Sequence, residues 1–267
     1  MSKFIGYLPA GFPDAARSIS GFKALIDSGA DVIEIGVPYS DPVMDGETIQ
    51  MAGKTALQNG FKIADLFSVI RQVKDYSDSC YLANQIEKPV EIYVMCYYNI
   101  VFKYGQVEFA KRISVAGANG VIIPDLIPEE ASDWVDAAKR NNLRTVFLTA
   151  PNSNAARLDV IAKASSGFIY VSSLLGTTGV RESGNQERFE KTEANVSRVR
   201  DALRANVKDT PVYVGLGISS ADDAGQVARF ADGVIVGSRL VKALQDGEEE
   251  LRYVAKLIAD ACHLGWG

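Results

Sequence analysis

Two acidic residues in different surroundings are the leading candidates for catalysis. Glu34 lies inside the aliphatic run 32–36 (VIEIG), and Asp45 follows it in the more polar segment 41–46 (DPVMDG). Burial among aliphatic side chains raises the pKa of a carboxyl towards neutrality, where the group can both donate and accept a proton. Because Asp45 has no such surroundings, the two carboxyls can hold different protonation states at one pH.

Each carboxyl also has a plain structural interpretation. Taken alone, Glu34 is equally well explained as one half of a buried ion pair with a lysine or arginine. Asp45 precedes Gly46, and an aspartate before a glycine is most simply explained as a turn former. The catalytic interpretation of Asp45 gains weight only if strand and loop bring both groups to one place.

Three glycine-containing segments indicate an anion site. They are 176–179 (GTTG), 215–219 (GLGIS) and 236–238 (VGS). Glycines let backbone N–H groups approach an anion, and a helix that begins after such a turn adds its dipole. Simple tight turns are the alternative. The placement of two of the segments after the last two predicted strands favours phosphate binding.

If the protein cleaves a carbon–carbon bond, the sequence offers little for a metal-dependent or Schiff-base route. Its one histidine, His263, lies near the end of the chain, and its three cysteines (Cys80, Cys96 and Cys262) match no metal-binding spacing. No lysine falls inside a predicted strand, and Lys103 comes several residues after one. We therefore expect neither a bound metal nor a lysine Schiff base, and any such cleavage would use carboxyl acid–base chemistry alone.

Eight short apolar runs predict the strands that position these residues. The runs are Phe4–Leu8, Val32–Gly36, Glu91–Cys96, Val121–Ile123, Arg144–Leu148, Phe168–Val171, Val212–Gly215 and Val234–Val236. They are rich in Val, Ile and Tyr and mostly lack polar alternation, which is typical of parallel strands covered on both faces.

The segments between the strands have helical periodicity. In the last one, positions 251–262 repeat apolar residues on one helix face, and Val107, Ala110 and Ile113 do so after the third strand. Eight strand–helix units without a linker predict an α/β fold, a single (β/α)₈ TIM barrel that forms one domain over residues 1–267. A doubly wound open sheet is the second choice, but the glycine-rich turn typical of that fold is absent after Leu8.

The barrel fold directs Glu34 towards the site. Side chains alternate along a strand, and a carboxylate facing the helices would be costly, so Glu34 is expected to face the interior. Two long connections, at about 38–47 and 172–186, are expected at the active-site end. Aromatic residues on or near strand ends suit a flat apolar ring, although plain packing is the commoner role: Tyr7, Tyr97, Tyr98, Phe147 and Tyr170.

Bulk properties exclude several classes of function. The net charge is −5 and no basic run stands out, which argues against nucleic-acid binding. No apolar run reaches transmembrane length, and the first residues lack a signal-peptide pattern, so we expect no membrane association. An odd number of cysteines without a disulfide pattern fits a reducing cytoplasm.

The segment 34–42 (EIGVPYSDP), followed by Asp45-Gly46 and 48–50 (TIQ), resembles the signature of the tryptophan synthase α chain family. The order and spacing of further matching segments hold over nearly the whole chain: 95–99 (MCYYN), 123–126 (IPDL), 170–172 (YVS), 176–179 (GTTG), 215–219 (GLGIS) and 236–238 (VGS). Many members carry an extra N-terminal helix that closes the bottom of the barrel. Here the first predicted strand starts almost at once, so that helix is expected to be absent.

The resemblance implies a lyase of tryptophan biosynthesis that splits indole-3-glycerol phosphate into indole and glyceraldehyde 3-phosphate by a retro-aldol reaction. Glu34 matches the family's catalytic glutamate, which moves protons at the indole ring carbon and the glycerol hydroxyl. Asp45 matches the aspartate that binds the indole N–H. The remaining matches are Tyr97, Tyr170, Thr178 and Leu216 at the substrate, and Gly179, Gly217, Gly237 and Ser238 at the phosphate. Tyr7 on the first predicted strand is a further expected substrate contact, because an aromatic side chain that points into the barrel mouth suits a flat apolar ring.

The resemblance also implies a partner. The family works with a β subunit that carries pyridoxal phosphate and receives indole through a tunnel, as an α₂β₂ heterotetramer, and no cofactor is expected in this chain. Asp41, Pro42 and the two long loops would face that subunit.

Two alternatives remain at this point. Another phosphosugar barrel, such as an isomerase, an epimerase or indole-glycerol-phosphate synthase, would typically place lysine, histidine, metal ligands or a different acid–base pair at the strand ends. This sequence lacks the first three. A non-catalytic activator of a β subunit is disfavoured by the pair of carboxyls.

Overall fold

A closed barrel of eight parallel strands forms the centre of this computed structural model, which describes residues 1–172, 185–215 and 217–264. Each strand pairs with the next along the chain, and the eighth pairs with the first. The strands are β1 (Lys3–Pro9), β2 (Val32–Gly36), β3 (Glu91–Met95), β4 (Gly120–Ile122), β5 (Arg144–Thr149), β6 (Ile169–Ser172), β7 (Val212–Gly215) and β8 (Gly233–Val236). The predicted (β/α)₈ barrel is confirmed, and the open-sheet alternative is wrong.

Helices connect the strands and cover the outside of the barrel. In the described ranges they are α1 (Ala15–Asp27), α2 (Glu47–Gln58), α3 (Ile63–Leu82), α4 (Tyr98–Tyr104), α5 (Gln106–Ala116), α6 (Ser132–Arg140), α7 (Ala155–Ala164), α8 (Asn185–Ala205), α9 (Ala221–Ala228), α10 (Ser238–Asp246) and α11 (Glu248–Leu264), with a 3₁₀ turn at Pro128–Glu130. As predicted, no helix precedes β1 within the described residues. None of these helices combines the length and the apolar composition that crossing a bilayer requires.

Local sequence explains where several helices begin and end. The side chains of Asp14, Asn154 and Ser220 each accept a hydrogen bond from the backbone N–H three residues later, which satisfies an amide that the helix itself cannot pair. α5 ends at Gly117 with φ of 111°, a left-handed conformation that favours glycine.

Alternation along the strands divides the apolar side chains into two cores. The core inside the barrel consists of Ile5, Val32, Tyr93, Ile122, Val146, Phe168, Tyr213 and Ile235. The alternate strand residues point outwards and pack under the helices, and Ile33 and Ile35 belong to this outer core. Because Glu34 lies between those two isoleucines, its side chain is directed into the barrel.

Glycines on neighbouring strands make room for the interior tyrosines. A Cβ atom on Gly36 of β2 would overlap the hydroxyl of Tyr7 on β1, and a Cβ on Gly215 of β7 would overlap the hydroxyl of Tyr170 on β6. Glycine is therefore required at both positions by the close approach of a ring. The two tyrosine hydroxyls reach the carboxyl ends of the strands.

An ion-pair cluster closes the other end of the barrel, where the strands begin. Glu91 Oε1 lies 2.6 Å from Lys3 Nζ, and Glu91 Oε2 lies 2.5 Å from Arg144 Nη1. Inside this cluster the rings of Phe168 and Tyr213 stack with centroids 4.4 Å apart. Charged groups and aromatic rings of the strands themselves thus fill this end.

Two details differ from the sequence predictions. Lys3 is the first residue of β1, so a lysine does lie within a strand, but at the end opposite the expected active site. Val107 was expected on the buried face of α5 and is 62% exposed. Phe109 occupies the buried position of that turn. Val107 comes two residues earlier, which places it about 200° around the helix from Phe109 and therefore on the exposed face.

Candidate active site

Glu34 occupies a buried position on the interior wall of the barrel. It lies in register with Tyr7 of β1 and Tyr93 of β3, and it is 1% exposed. Its Oε2 has no hydrogen-bond partner among the described residues, and no described lysine or arginine forms an ion pair with it. The interpretation of Glu34 as half of a buried ion pair therefore finds no support in the described part of the chain.

The connection 37–46 between β2 and α2 brings Asp45 to the same end of the barrel. Tyr97 donates its hydroxyl hydrogen to Asp45 Oδ2 at 3.1 Å, and the same hydroxyl accepts the backbone N–H of Met44 at 2.9 Å. Gln50 Nε2 donates to the carbonyl of Asp45 at 2.7 Å. The half-buried Asp45 is thus held from both sides, by Tyr97 directly before α4 and by the first turn of α2.

The two carboxyls have different proton affinities. Burial raises the pKa of Glu34 to about 8, and the nearby charge of Asp45 adds to the increase. Burial also raises the pKa of Asp45, to about 6, while the hydrogen bond from Tyr97 opposes that increase. At pH 7 Glu34 is mainly protonated and Asp45 mainly ionised, so the site offers an acid beside a carboxylate.

Both carboxyls line one cavity of about 360 Å³ at the carboxyl ends of the strands. Tyr7 and Tyr170 also line it, and burial raises the pKa of both hydroxyls, so they remain protonated. Apolar side chains form much of the remaining wall: Met44, Ile49, Met95, Ile122, Pro124, Leu148, Ile218 and Ile235. A mostly apolar wall with a few converging polar groups is typical of a small-molecule site.

The turns after β7 and β8 form another part of the cavity wall. Gly217, Ser219, Gly237 and Ser238 all line the cavity. Gly217 has φ of 61°, a left-handed conformation that favours glycine. Ser238 is the first residue of α10, whose leading N–H groups have no acceptor within the helix. These groups and the helix dipole suit an anion such as phosphate.

Sequence reasoning missed two cations in the wall, Arg239 and Lys242. Both cations lie on α10. Lys242 comes four residues after Ser238, so the side chains of Ser238 and Lys242 lie on the same face of the helix. The spacing of Ser238 and Lys242 is visible in the sequence, but periodicity alone does not show which face of this helix meets the cavity. Ser219, in the turn after β7, also lines the cavity and was not among the predicted site residues.

The remaining predicted site residues that the structure describes are not found in the lining of the cavity. Tyr97 is not among the residues that line the cavity, and its hydroxyl is engaged by the 37–46 connection instead. Asp41 is exposed and Pro42 partly so, on that same connection. Thr178, Gly179 and Leu216 lie outside the described residues.

A parallel (β/α)₈ barrel with two unlike carboxyls and glycine-containing turns around one cavity, at the carboxyl ends of its strands, is typical of the class of barrel enzymes. Residues 1–264 match the family model described as "Tryptophan synthase alpha chain". The chain belongs to this family, whose members are lyases of tryptophan biosynthesis.

Relatives and solved structures agree with this assignment over almost the whole chain. The tryptophan synthase alpha chain of Nocardia farcinica is 42% identical over 259 residues, which cover 96% of this chain and 88% of the relative. A crystal structure of tryptophan synthase from M. tuberculosis, in an aminoacrylate- and BRD0059-bound form, has a TM-score of 0.85 at 39% identity. The match covers 99% of this chain and 93% of the chain in that structure. A tryptophan synthase complex from Pyrococcus furiosus has a TM-score of 0.79 at 30% identity, with 97% of each chain covered.

Proposed function

We propose that this chain is the cytoplasmic α subunit of a tryptophan synthase and cleaves indole-3-glycerol phosphate to indole and glyceraldehyde 3-phosphate by a retro-aldol reaction. The observation that carries the proposal is the environment of Glu34. Its carboxyl is buried in the cavity wall, has one oxygen without a described partner, and has a pKa of about 8. Such a group can give up and take back a proton near neutral pH.

Proton transfer by Glu34 balances the reaction. The protonated carboxyl donates to the indole ring carbon that bears the glycerol chain, and the ring nitrogen becomes cationic. The resulting carboxylate then accepts the proton of the adjacent glycerol hydroxyl. The carbon–carbon bond breaks, its electron pair returns to the ring and neutralises the nitrogen, and the hydroxyl carbon becomes the aldehyde. One group serves as acid and then as base, so no net proton is consumed.

Asp45 supports the cationic ring. As a carboxylate at neutral pH it accepts the indole N–H and stabilises the positive charge that develops on the nitrogen. The pKa of about 6 keeps it mainly ionised under these conditions. The apolar wall and the hydroxyls of Tyr7 and Tyr170 suit the flat ring.

The phosphate of the substrate binds at the turns after β7 and β8. Gly217, Gly237 and Ser238 supply backbone N–H groups there, and the dipole of α10 attracts the dianion. We also assign Gly179 to the phosphate contacts, and Thr178 and Leu216 to the contacts with the rest of the substrate.

The reaction needs no cofactor in this chain, and pyridoxal phosphate belongs to a partner β subunit in an α₂β₂ assembly. Asp41 and Pro42 would contact that subunit. Exposed apolar residues support an interface at this end of the barrel, since Val43 and Ile127 on strand-to-helix connections are 78% and 39% exposed, and Phe102 on α4 is 64% exposed. Indole released in the cavity would pass through that interface.

Assays of indole release from indole-3-glycerol phosphate test the catalytic roles. We expect Glu34→Gln and Asp45→Asn each to lower kcat by about 100-fold or more, the range for losing a proton-transfer or charge-stabilising group. Glu87→Gln is the matched control, because Glu87 is exposed on the connection between α3 and β3, at the other end of the barrel. Near-normal turnover by either cavity variant would refute the assignment of that residue.

A second assay addresses the non-catalytic alternative. Turnover by a tryptophan synthase β subunit is compared in the presence of the wild-type chain and of Glu34→Ala. If both activate the β subunit equally and neither cleaves indole-3-glycerol phosphate, the chain is an activator and the catalytic proposal fails.

A further inference from the structure

Lys242 lies at the proposed phosphate site without an assigned role. It belongs to α10, one turn after Ser238, and both residues line the cavity. Leu240, Val241 and Ala243 of the same helix are buried in the outer core, whereas Lys242 is exposed. The core therefore fixes the rotation of α10 so that Lys242 faces the cavity.

Charge pairing separates Lys242 from its neighbour Arg239. Arg239 Nη2 donates to Glu250 Oε1 at 3.0 Å, so its positive charge is already compensated. Lys242 has no ion-pair partner among the described residues. It is the one unpaired cation in the described cavity wall.

A phosphate dianion needs such a charge. The glycine turns and the helix dipole offer only partial positive charges. The same wall carries the Asp45 carboxylate, which is mainly ionised at neutral pH and repels an anion. A free ammonium group in the cavity wall offsets that repulsion.

We propose that Lys242 is a substrate-binding residue whose ammonium group pairs with the substrate phosphate and selects phosphorylated substrates. The inference rests on the proposed function and adds a specificity-determining residue to its phosphate site. Loss of Lys242 weakens binding of the phosphate and leaves the proton transfers unaffected, so KM changes and kcat does not.

The kinetic experiment uses Lys242→Met, Lys242→Arg and the control Lys139→Met. Lys139 is also exposed and has no described ion-pair partner, but it lies in the last turn of α6, away from the cavity. We expect Lys242→Met to raise KM for indole-3-glycerol phosphate by about tenfold, as for loss of one charge-assisted contact, with kcat unchanged. The effect should shrink at high salt and be largely rescued by arginine. For indoleglycerol, which lacks the phosphate, wild type and Lys242→Met should be equal.

A binding experiment keeps this proposal separate from the proposed function. Inorganic phosphate is titrated into each protein, and the backbone amide signals of Gly217 and Ser238 are followed by NMR. If Lys242→Met binds phosphate more weakly than wild type and Lys139→Met does not, the pairing of Lys242 with phosphate is supported. This holds even if the wild type fails to cleave indole-3-glycerol phosphate. Equal phosphate affinity in wild type and Lys242→Met, or equal KM while wild type is active, overturns the role of Lys242 and leaves the proposed function standing.

Discussion

Glu34 and Asp45 belong to one strand–loop segment but experience different dielectric surroundings. Glu34 is enclosed by the barrel, whereas Asp45 is half-buried and accepts a hydrogen bond from Tyr97. Burial penalises the charged form of both groups, and the hydrogen bond offsets part of that penalty for Asp45 alone. The separation of the two pKa values therefore follows from position, since the two side chains have the same functional group.

The pH dependence of catalysis should reflect this separation. If Glu34 must start protonated and Asp45 ionised, kcat/KM for indole-3-glycerol phosphate should fall below about pH 6 and above about pH 8. Asp45→Asn should remove the acidic limb. It should also move the alkaline limb to lower pH, because the charge of Asp45 contributes to the raised pKa of Glu34. An alkaline limb that stays in place in a still measurable Asp45→Asn enzyme would contradict the coupling.

Burial of Glu34 also has a cost in stability. Its pKa in the folded chain is about 8, above its ordinary value of 4.5, so the folded state binds the proton more tightly than the unfolded state. The associated stability is fully present below the unfolded pKa and is lost as the pH rises through about 8. Between pH 6 and 9, linkage predicts that wild type loses roughly 2–3 kcal/mol more unfolding free energy than Glu34→Gln. Urea denaturation of both proteins at the two pH values measures the difference, and parallel losses would contradict the burial argument.

At the scale of elements, the 37–46 connection depends on the start of the neighbouring helix α4. The Tyr97 hydroxyl bonds to Met44 N–H and Asp45 Oδ2, and its ring stacks on Tyr39 with centroids 5.1 Å apart. Asn99 Nδ2 donates to the Tyr39 hydroxyl at 2.9 Å. The start of α4 thus orders the connection that carries Asp45.

Removal of one hydroxyl tests this arrangement. Tyr97→Phe keeps the buried ring, so the unfolding free energy should fall by only about 1–3 kcal/mol, as for loss of two hydrogen bonds. The acidic limb of kcat/KM should move above pH 6, because the hydrogen bond from Tyr97 holds down the pKa of Asp45. A pH profile identical to that of wild type would argue that the hydroxyl does not position Asp45.

At the scale of the whole molecule, the two ends of the barrel have different tasks. The cavity with Glu34 and Asp45 lies at the carboxyl ends of the strands, whereas the Lys3–Glu91–Arg144 cluster lies at the other end. Burial alone would raise the pKa of Glu91, but its ion pairs with Lys3 and Arg144 lower it overall. The charged groups that close this end of the barrel are therefore different from the carboxyls that line the cavity.

A variant at the closed end should separate stability from activity. Glu91→Gln should lower the unfolding free energy by about 1 kcal/mol at pH 7, because these ion pairs are partly exposed. The difference from wild type should disappear in acid, since a lowered folded pKa contributes stability that is lost as the pH falls. The kcat for indole release should stay unchanged, and a large loss of kcat in a fully folded variant would contradict the division of tasks.

The sequence by itself determined the features that depend on neighbours along the chain. Apolar runs and helical periods predicted all eight strands to within a few residues, and strand alternation predicted that Glu34 faces the interior. Tertiary structure alone decided which distant side chains meet. It engages Tyr97 with the backbone of Met44, turns Lys242 into the cavity and joins Lys3 to Glu91 and Arg144. Periodicity reports the face on which a residue lies, whereas contacts between elements depend on strand stagger, helix rotation and side-chain packing throughout the barrel.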